Sequence, residues 1–532
     1  MIEQILYVVM LVVFFGGMIA VGFFCRAKAK TSEGFVLGGR SVGPWLTAFA
    51  YGTSYFSAVV FIGYAGQFGW KFGVASTWIG LGNAIIGSLM AWVILGRRTR
   101  IMSQHLNTAT MSDFFGKRYN SNALKIAAAI IIFIFLSPYT ASLYNGLSRL
   151  FAMAFPAVPF WVFVVIMAVL TAVYVIAGGY MATAVNDFIQ GLIMLFGIVA
   201  VIVAVIMTNG GWTEIFKDLS MVSDPTVSEQ AGVFTSFFGP DILSLAGVVV
   251  LTSLGTWGLP QMVQKFYAIK DEGAIKKGTI ISTLFAIIVS GGCYFLGGFA
   301  RLYPDAAAGG FDAIIPAMLS TLHPILIGLV IILVLSASMS TLSSLAMASS
   351  STVTLDLIKP VVKNDMSDKQ QVFIMRSLIV VFIGISAAIA IWQYHSANVF
   401  IAQMMGVSWG ALAGAFLAPF LYGLYSKKTT KTAVWVSFGV GVGVMLLYLV
   451  YFFLPQGAKD VLSIPAMLTS PLNLGALVMV LNLILVPVVS LFTPKADAAQ
   501  VEQIFACYNK TATVPATAVL VDEQAQENKT EE

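Results

Sequence analysis

The chain has 532 residues, of which 58% are hydrophobic and only 10% charged, and its 29 Lys and Arg against 24 Asp and Glu leave a formal charge of +5. So few charges cannot coat a water-facing surface, which excludes a soluble enzyme, and a basic excess in so apolar a chain marks cytoplasmic loops rather than a nucleic-acid partner. At roughly 20 apolar residues per bilayer crossing, this is an all-α polytopic membrane protein.

Apolar runs with few charges fall near 4–25, 44–66, 73–96, 124–148, 158–177, 186–208, 241–262, 279–300, 324–352, 377–393, 399–425, 432–454 and 471–493, numbered here as spans 1 to 13. Span 1 starts Met-Ile-Glu and is followed by Arg26, Lys28 and Lys30, so it reads as a retained span with the N-terminus outside. In that register 24 of the 29 basic residues fall inside, leaving Lys71, Arg149, Lys217, Arg301 and Lys459 outside. A miscount would scramble this bias, so thirteen transmembrane helices in a plasma (cytoplasmic) membrane are expected. The 209–240 loop, with Glu214, Asp218, Asp224 and Glu229, reads as extracellular. Residues 494–532 read as a largely disordered cytoplasmic tail, in which 501–508 is the one part suited to a short helix against the membrane face, and where the sequons at Asn509 and Asn528 would escape glycosylation. Cys25, Cys293 and Cys507 form no metal or disulfide spacing.

Lipid cannot hydrogen-bond a freed backbone, so a helix that breaks in mid-membrane must line a cavity. Two spans look breakable. Span 2 gathers Gly52, Thr53, Ser54 and Ser57 near its middle, and span 7 has Gly255, Gly258 and Pro260 in the corresponding place. Small residues alone would also let helices pack closely. The spacing adds to the reading, because spans five apart run in opposite directions and matching breaks in two inverted units point to a midplane site. The expected organisation is therefore a first span and basic loop (1–43), a five-helix repeat (44–208), an extracellular loop (209–240), a second five-helix repeat (241–425), peripheral spans 12 and 13 (426–493) and the tail (494–532).

Ionisable residues inside the spans are scarce. Asp187, near the inner end of span 6, is the main one, and it reads either as part of an ion path or as an interfacial carboxylate. Hydroxyls are dense in span 9, at Ser336, Ser338, Ser340, Thr341, Ser343 and Ser344. A hard cation such as sodium takes neutral oxygens, which carbonyls freed by a helix break and two hydroxyls can supply. The alternative is that these hydroxyls bond back to their own helix or across to a neighbour.

Three stretches resemble the sodium/solute symporter family: Phe35-Val-Leu-Gly-Gly-Arg-Ser-Val-Gly-Pro44 before span 2, Ala177-Gly-Gly-Tyr-Met-Ala-Thr-Ala-Val-Asn-Asp-Phe-Ile-Gln190 into span 6, and Ser338-Met-Ser-Thr-Leu-Ser-Ser344 in span 9. The resemblance covers roughly residues 1–493 and implies a five-plus-five inverted repeat and sodium-driven uptake. It implies sodium, the co-transported ion, on carbonyls of Thr53, Phe56 and Ala337 and hydroxyls of Ser340 and Thr341, with Asp187 on the sodium path or inner gate. The proline-carrying branch has an Asp where this chain has Tyr55, and aromatic residues where it has Thr252 and Thr256. Its span 2 resembles more closely the pantothenate, multivitamin and monocarboxylate carriers. The expected solute is a small organic molecule bearing a carboxylate. Its expected contacts are Ser57, Tyr139, Ser142, Thr256, Trp257 and Gln261; Tyr139 matches a substrate-side Tyr of the family, and the others lie near the inferred breaks.

Membrane lipid is the other expected partner, with no nucleic acid and no obligate protein partner. A proton-coupled permease of the same architecture, or a sugar or proline substrate, is the alternative. A nutrient sensor would need an output domain beyond Thr493, and a membrane enzyme would need a constellation that His105, His323 and His395, far apart at loops or span ends, do not make.

Overall fold

The computed structural model describes residues 2–362, 365–395, 401–465 and 467–508. Among these residues the chain is helical, with two isolated bridges and no strand. Among the described residues ten helices are long and apolar enough to cross a membrane, or eleven when the bent pair Ile242–Gly258 and Pro260–Tyr267 is one span. That count stops short of the expected thirteen, and the difference lies in two long stretches, Val59–His105 and Phe160–Thr208. Straight, each would run about 70 Å, more than twice the ~30 Å hydrocarbon core. Each is interrupted by a glycine in the left-handed region, Gly73 at φ 62° and Gly179 at φ 56°. A Cβ on Gly73 would stand 2.1 Å from the Phe234 carbonyl oxygen, and one on Gly179 2.9 Å from the Phe35 ring, so both turns depend on glycine.

The two expected breaks are present. Span 2 is helical from Pro44 to Thr53, loses its helix over residues 54–57, and resumes toward Phe72 through the wide-turned Val59–Tyr64 segment. Span 7 runs from Ile242 to Leu254, tightens over Gly255–Gly258, and restarts at Pro260 with a bend of 47°. Leu259 is extended (φ −88°, ψ 124°), the conformation imposed on a residue that precedes proline.

Span 9, Pro324–Thr352, is buried on all sides from Val330 onward and forms the central post, packed against spans 4, 6 and 10. Span 11, Ile401–Tyr425, is almost as enclosed between span 4 and spans 12 and 13. Span 1 leaves Val12 and Val13 exposed, as a peripheral lipid-facing helix does.

Every ion pair among the described residues joins segments that the alternation of basic loops assigns to the same side. On one face Arg97 pairs with Glu272, Lys125 with Asp113 and Asp356, and Lys427 with Glu502. On the other, Lys71 pairs with Asp241, Arg149 with Asp312 and Arg301 with Asp224. There, bonds from Thr226 and the Arg301 guanidinium hold the Asp224 carboxyl below its ordinary range.

Within the tail, residues 498–508 are helical. Ala498–Phe505 is a helix capped by Asp497, with Val501, Ile504 and Phe505 buried at helical spacing on the basic face. The rest of the tail, with both sequons, lies outside the described residues.

Candidate ion and solute site

Span 9 lies against the break in span 2, and their oxygens meet. Ser340 Oγ is 3.2 Å from the Thr53 carbonyl oxygen and 3.0 Å from that of Ala337. Thr341 Oγ1 is 3.2 Å from the Phe56 carbonyl oxygen and 3.1 Å from that of Ala337. All five residues expected from the sequence are therefore together, and all are buried. Each hydroxyl has one proton and two carbonyls within reach, so the three carbonyls offer more lone pairs than two protons can satisfy. Five uncharged oxygens linked by separations of 3.0–3.2 Å are the kind of ligands a hard monovalent cation takes, its charge taking up the surplus.

The same face of span 9 fastens the break on either side. Ala58, where span 2 resumes, donates its amide to Ser338 Oγ at 3.0 Å, and Ser54 Oγ lies 3.2 Å from Ser344 Oγ. Ser344 also receives a bond from Lys265 Nζ at 2.9 Å, and that ammonium lies 3.6 Å from Asp187 Oδ2 and over the Tyr180 ring. Asp187 thus reaches the hydroxyl face through Lys265, one of the 24 basic residues assigned to the inside and not singled out from the sequence. Its signal was a lone cation five residues beyond Pro260 on the short second half of a broken span.

The expected solute contacts divide into two groups. Ser57 Oγ and both amide atoms of Gln261 are buried with no hydrogen-bond partner among the described residues. Tyr139 is buried with its ring edge-on to Trp409, 5.8 Å between centroids, and the Trp409 indole nitrogen is also unpartnered. Trp409, on span 11, was not singled out from the sequence; it also lies 3.5 Å from where a Cβ on Gly255 would sit. The other three have committed donors: Ser142 to Pro138 O at 3.0 Å, Thr256 to Ser253 O at 2.8 Å, and the Trp257 indole to Ile86 O at 3.0 Å. Their hydroxyls and indole hold the helices, and the structure does not offer them as free donors. Tyr55 spans the two breaks, donating to the Thr252 carbonyl at 2.7 Å across a gap that Gly87 leaves open.

The osmoregulated proline transporter OpuE of Bacillus subtilis (strain 168) is 28% identical over 449 residues, covering 83% of this chain and 88% of its own length. The sodium/proline symporter 2 of Staphylococcus saprophyticus is 28% identical over 454 residues, with 83% and 86% covered. Among solved structures, a Na+-coupled sialic acid symporter in a substrate-bound outward-open state superposes with a TM-score of 0.71 at 17% identity, over 92% of this chain and 98% of that one. That likeness shows the fold. The model of the sodium:solute symporter family matches residues 35–441, most of the chain, which therefore belongs to that family of membrane transporters, with sodium as its co-transported ion.

Proposed function

We propose that this protein imports a small carboxylate-bearing organic solute together with sodium by alternating access, with the N-terminus outside and the basic face in the cytoplasm. The observation that carries this reading is the five-oxygen cluster of Thr53, Phe56, Ala337, Ser340 and Thr341, which joins the break in one helix to the central post. In this reading 59–105 and 160–208 are each two spans divided at Gly73 and Gly179, which restores thirteen. A bound sodium ion draws the two sides of that joint together and so favours the arrangement that encloses the solute.

The unpartnered Gln261 amide, Ser57 hydroxyl and Trp409 indole supply the donors that a carboxylate needs, on the broken spans and the helix facing them. Proline and sialic acid, named for the relatives, both carry a carboxylate. For one sodium ion, ~100 mV supplies about 2.3 kcal/mol and a tenfold gradient about 1.4 kcal/mol more. Together these concentrate a neutral or zwitterionic solute several hundredfold. An anionic solute cancels the electrical part at one-to-one stoichiometry.

Uptake into proteoliposomes tests the reading, with a panel of labelled monocarboxylates, vitamins, amino acids including proline, and sugars, with and without sodium. Uptake of a carboxylate-bearing solute that requires sodium is the expected result. Uptake that persists without sodium and collapses with the pH gradient would replace it by proton coupling.

A further inference from the structure

On the basic face, the ends of spans 1 and 10 enclose a cleft of about 390 Å³ lined by Arg26, Lys30, Lys369 and Arg376, with Val372 and Phe373. Among the described residues none of these four cations is in an ion pair, whereas elsewhere on the basic face Arg40 pairs with Glu33 and Arg97 with Glu272. The Arg376 Nε is buried without an acceptor, and its guanidinium lies 5.6 Å from the centre of the Phe35 ring. Four positive groups gathered at one hollow make it an electrostatic fit for an anion.

The surroundings say which anion. A second hollow of about 370 Å³, lined by Met366, Gln370 and Ile374, shares Lys369 and Phe373 with the first. Phe373, which lines both hollows, is 70% exposed, and Phe23 and Phe24, a few residues before Arg26 on span 1, are 56% and 87% exposed. A phospholipid is favoured over a free anion because the cations share their cleft with Phe373, an exposed ring on a membrane-crossing helix, so charge and acyl-chain surface meet at one place. A phospholipid uses both surfaces, its headgroup among the cations and its chains along the rings. We propose that this cleft binds the headgroup of an anionic phospholipid of the cytoplasmic leaflet. Basic pockets between membrane helices at this depth are suited to such headgroups. Phe35, beneath Arg376, packs on the hinge glycine Gly179, so the bound headgroup is coupled to the turn between spans 5 and 6.

The test uses the full-length protein in phosphatidylcholine bilayers with or without phosphatidylglycerol, and native mass spectrometry to read which lipid is retained. The wild type should retain phosphatidylglycerol in preference and melt at a higher temperature in its presence. R26Q/R376Q should lose that preference about tenfold or more, while R26K/R376K keeps it and K276Q/K277Q, elsewhere on the face, changes nothing. Equal retention of both lipids by the wild type would overturn the proposal. So would stabilisation by inorganic phosphate equal to that by the lipid. A chain ending at Lys510 that gains phosphatidylglycerol affinity would assign the cleft to the chain's own acidic end, with Asp522, Glu523, Glu527, Glu531 and Glu532, and overturn it too. None of these readouts uses transport, so failure here is separable from failure of the sodium-coupled reading.

Discussion

Lys265 and Asp187 form a fully enclosed ion pair, 3.6 Å between Nζ and Oδ2, that joins span 7 of the second repeat to span 6 of the first. The ammonium also donates to Ser344 Oγ, and Ser344 donates to the Ser340 carbonyl, so the pair sits one link from the five-oxygen cluster. Both charges are out of water, and each is tolerated because the other is present.

Removing one partner should therefore cost more than removing both. Asp187→Asn or Lys265→Met alone should lower stability by about 3 kcal/mol, because either leaves a buried charge unpaired. The double variant should recover most of that loss, read as the melting temperature of the purified protein. Each single variant should also raise the sodium concentration for half-maximal uptake. Strictly additive losses of stability would mean that the two charges do not hold each other.

At the cluster itself, Ser340→Ala and Thr341→Ala each remove one of five oxygens and leave the carbonyls in place. The half-saturating sodium concentration should rise about tenfold in each, the loss of roughly one ligand bond. A sodium titration of uptake reads it. Unchanged dependence in both variants would remove these hydroxyls from the ion's coordination.

The breaks were legible in the sequence because Gly, Ser and Pro fail to hold a helix for local reasons. The hydroxyls of span 9 were conspicuous in an apolar run, but composition alone left open that they bond within their own helices; singling out Ser340 and Thr341 with the Thr53, Phe56 and Ala337 carbonyls rested on the family resemblance. Lys265 was not legible, since a cation near a span's end reads as an interfacial charge until the bend at Leu259 carries it inward to Asp187. Nor were the commitments of Ser142, Thr256 and Trp257, which depend on carbonyls of their own or neighbouring helices that spacing does not locate. Trp409 was passed over because its partner Tyr139 is 270 residues away in sequence.

The proposed sidedness has its own check. Ser223, in the 209–240 segment, and Ser367, ahead of span 10, are both exposed. Cysteines placed there in a background without Cys25, Cys293 and Cys507 should respond differently to an impermeant thiol reagent. Ser223→Cys should label in intact cells and Ser367→Cys only after permeabilisation. Labelling of both from outside would refute the odd number of spans between them.

The tail helix supplies the last prediction. Phe505 lies under the Arg118 guanidinium, which itself donates to the Gly423 and Ser426 carbonyls at the end of span 11. Glu502 pairs with Lys427 at 2.7 Å, the Gln503 carbonyl meets His105 Nε2 at 3.0 Å, and the Tyr508 hydroxyl donates to Arg98 O at 3.2 Å. Residues 498–508 therefore clamp the 97–118 loop to the turn between spans 11 and 12. The exposed ion pair adds little, and burial of Val501, Ile504 and Phe505 carries the attachment. A chain ending at Lys510 keeps every one of these contacts and should insert, melt and transport like the full-length protein. A chain ending at Thr493 loses them all and should be less stable by on the order of 3 kcal/mol, with Phe505→Ala in between. Equal melting temperatures for the two truncations would show that the helix does not hold this face together.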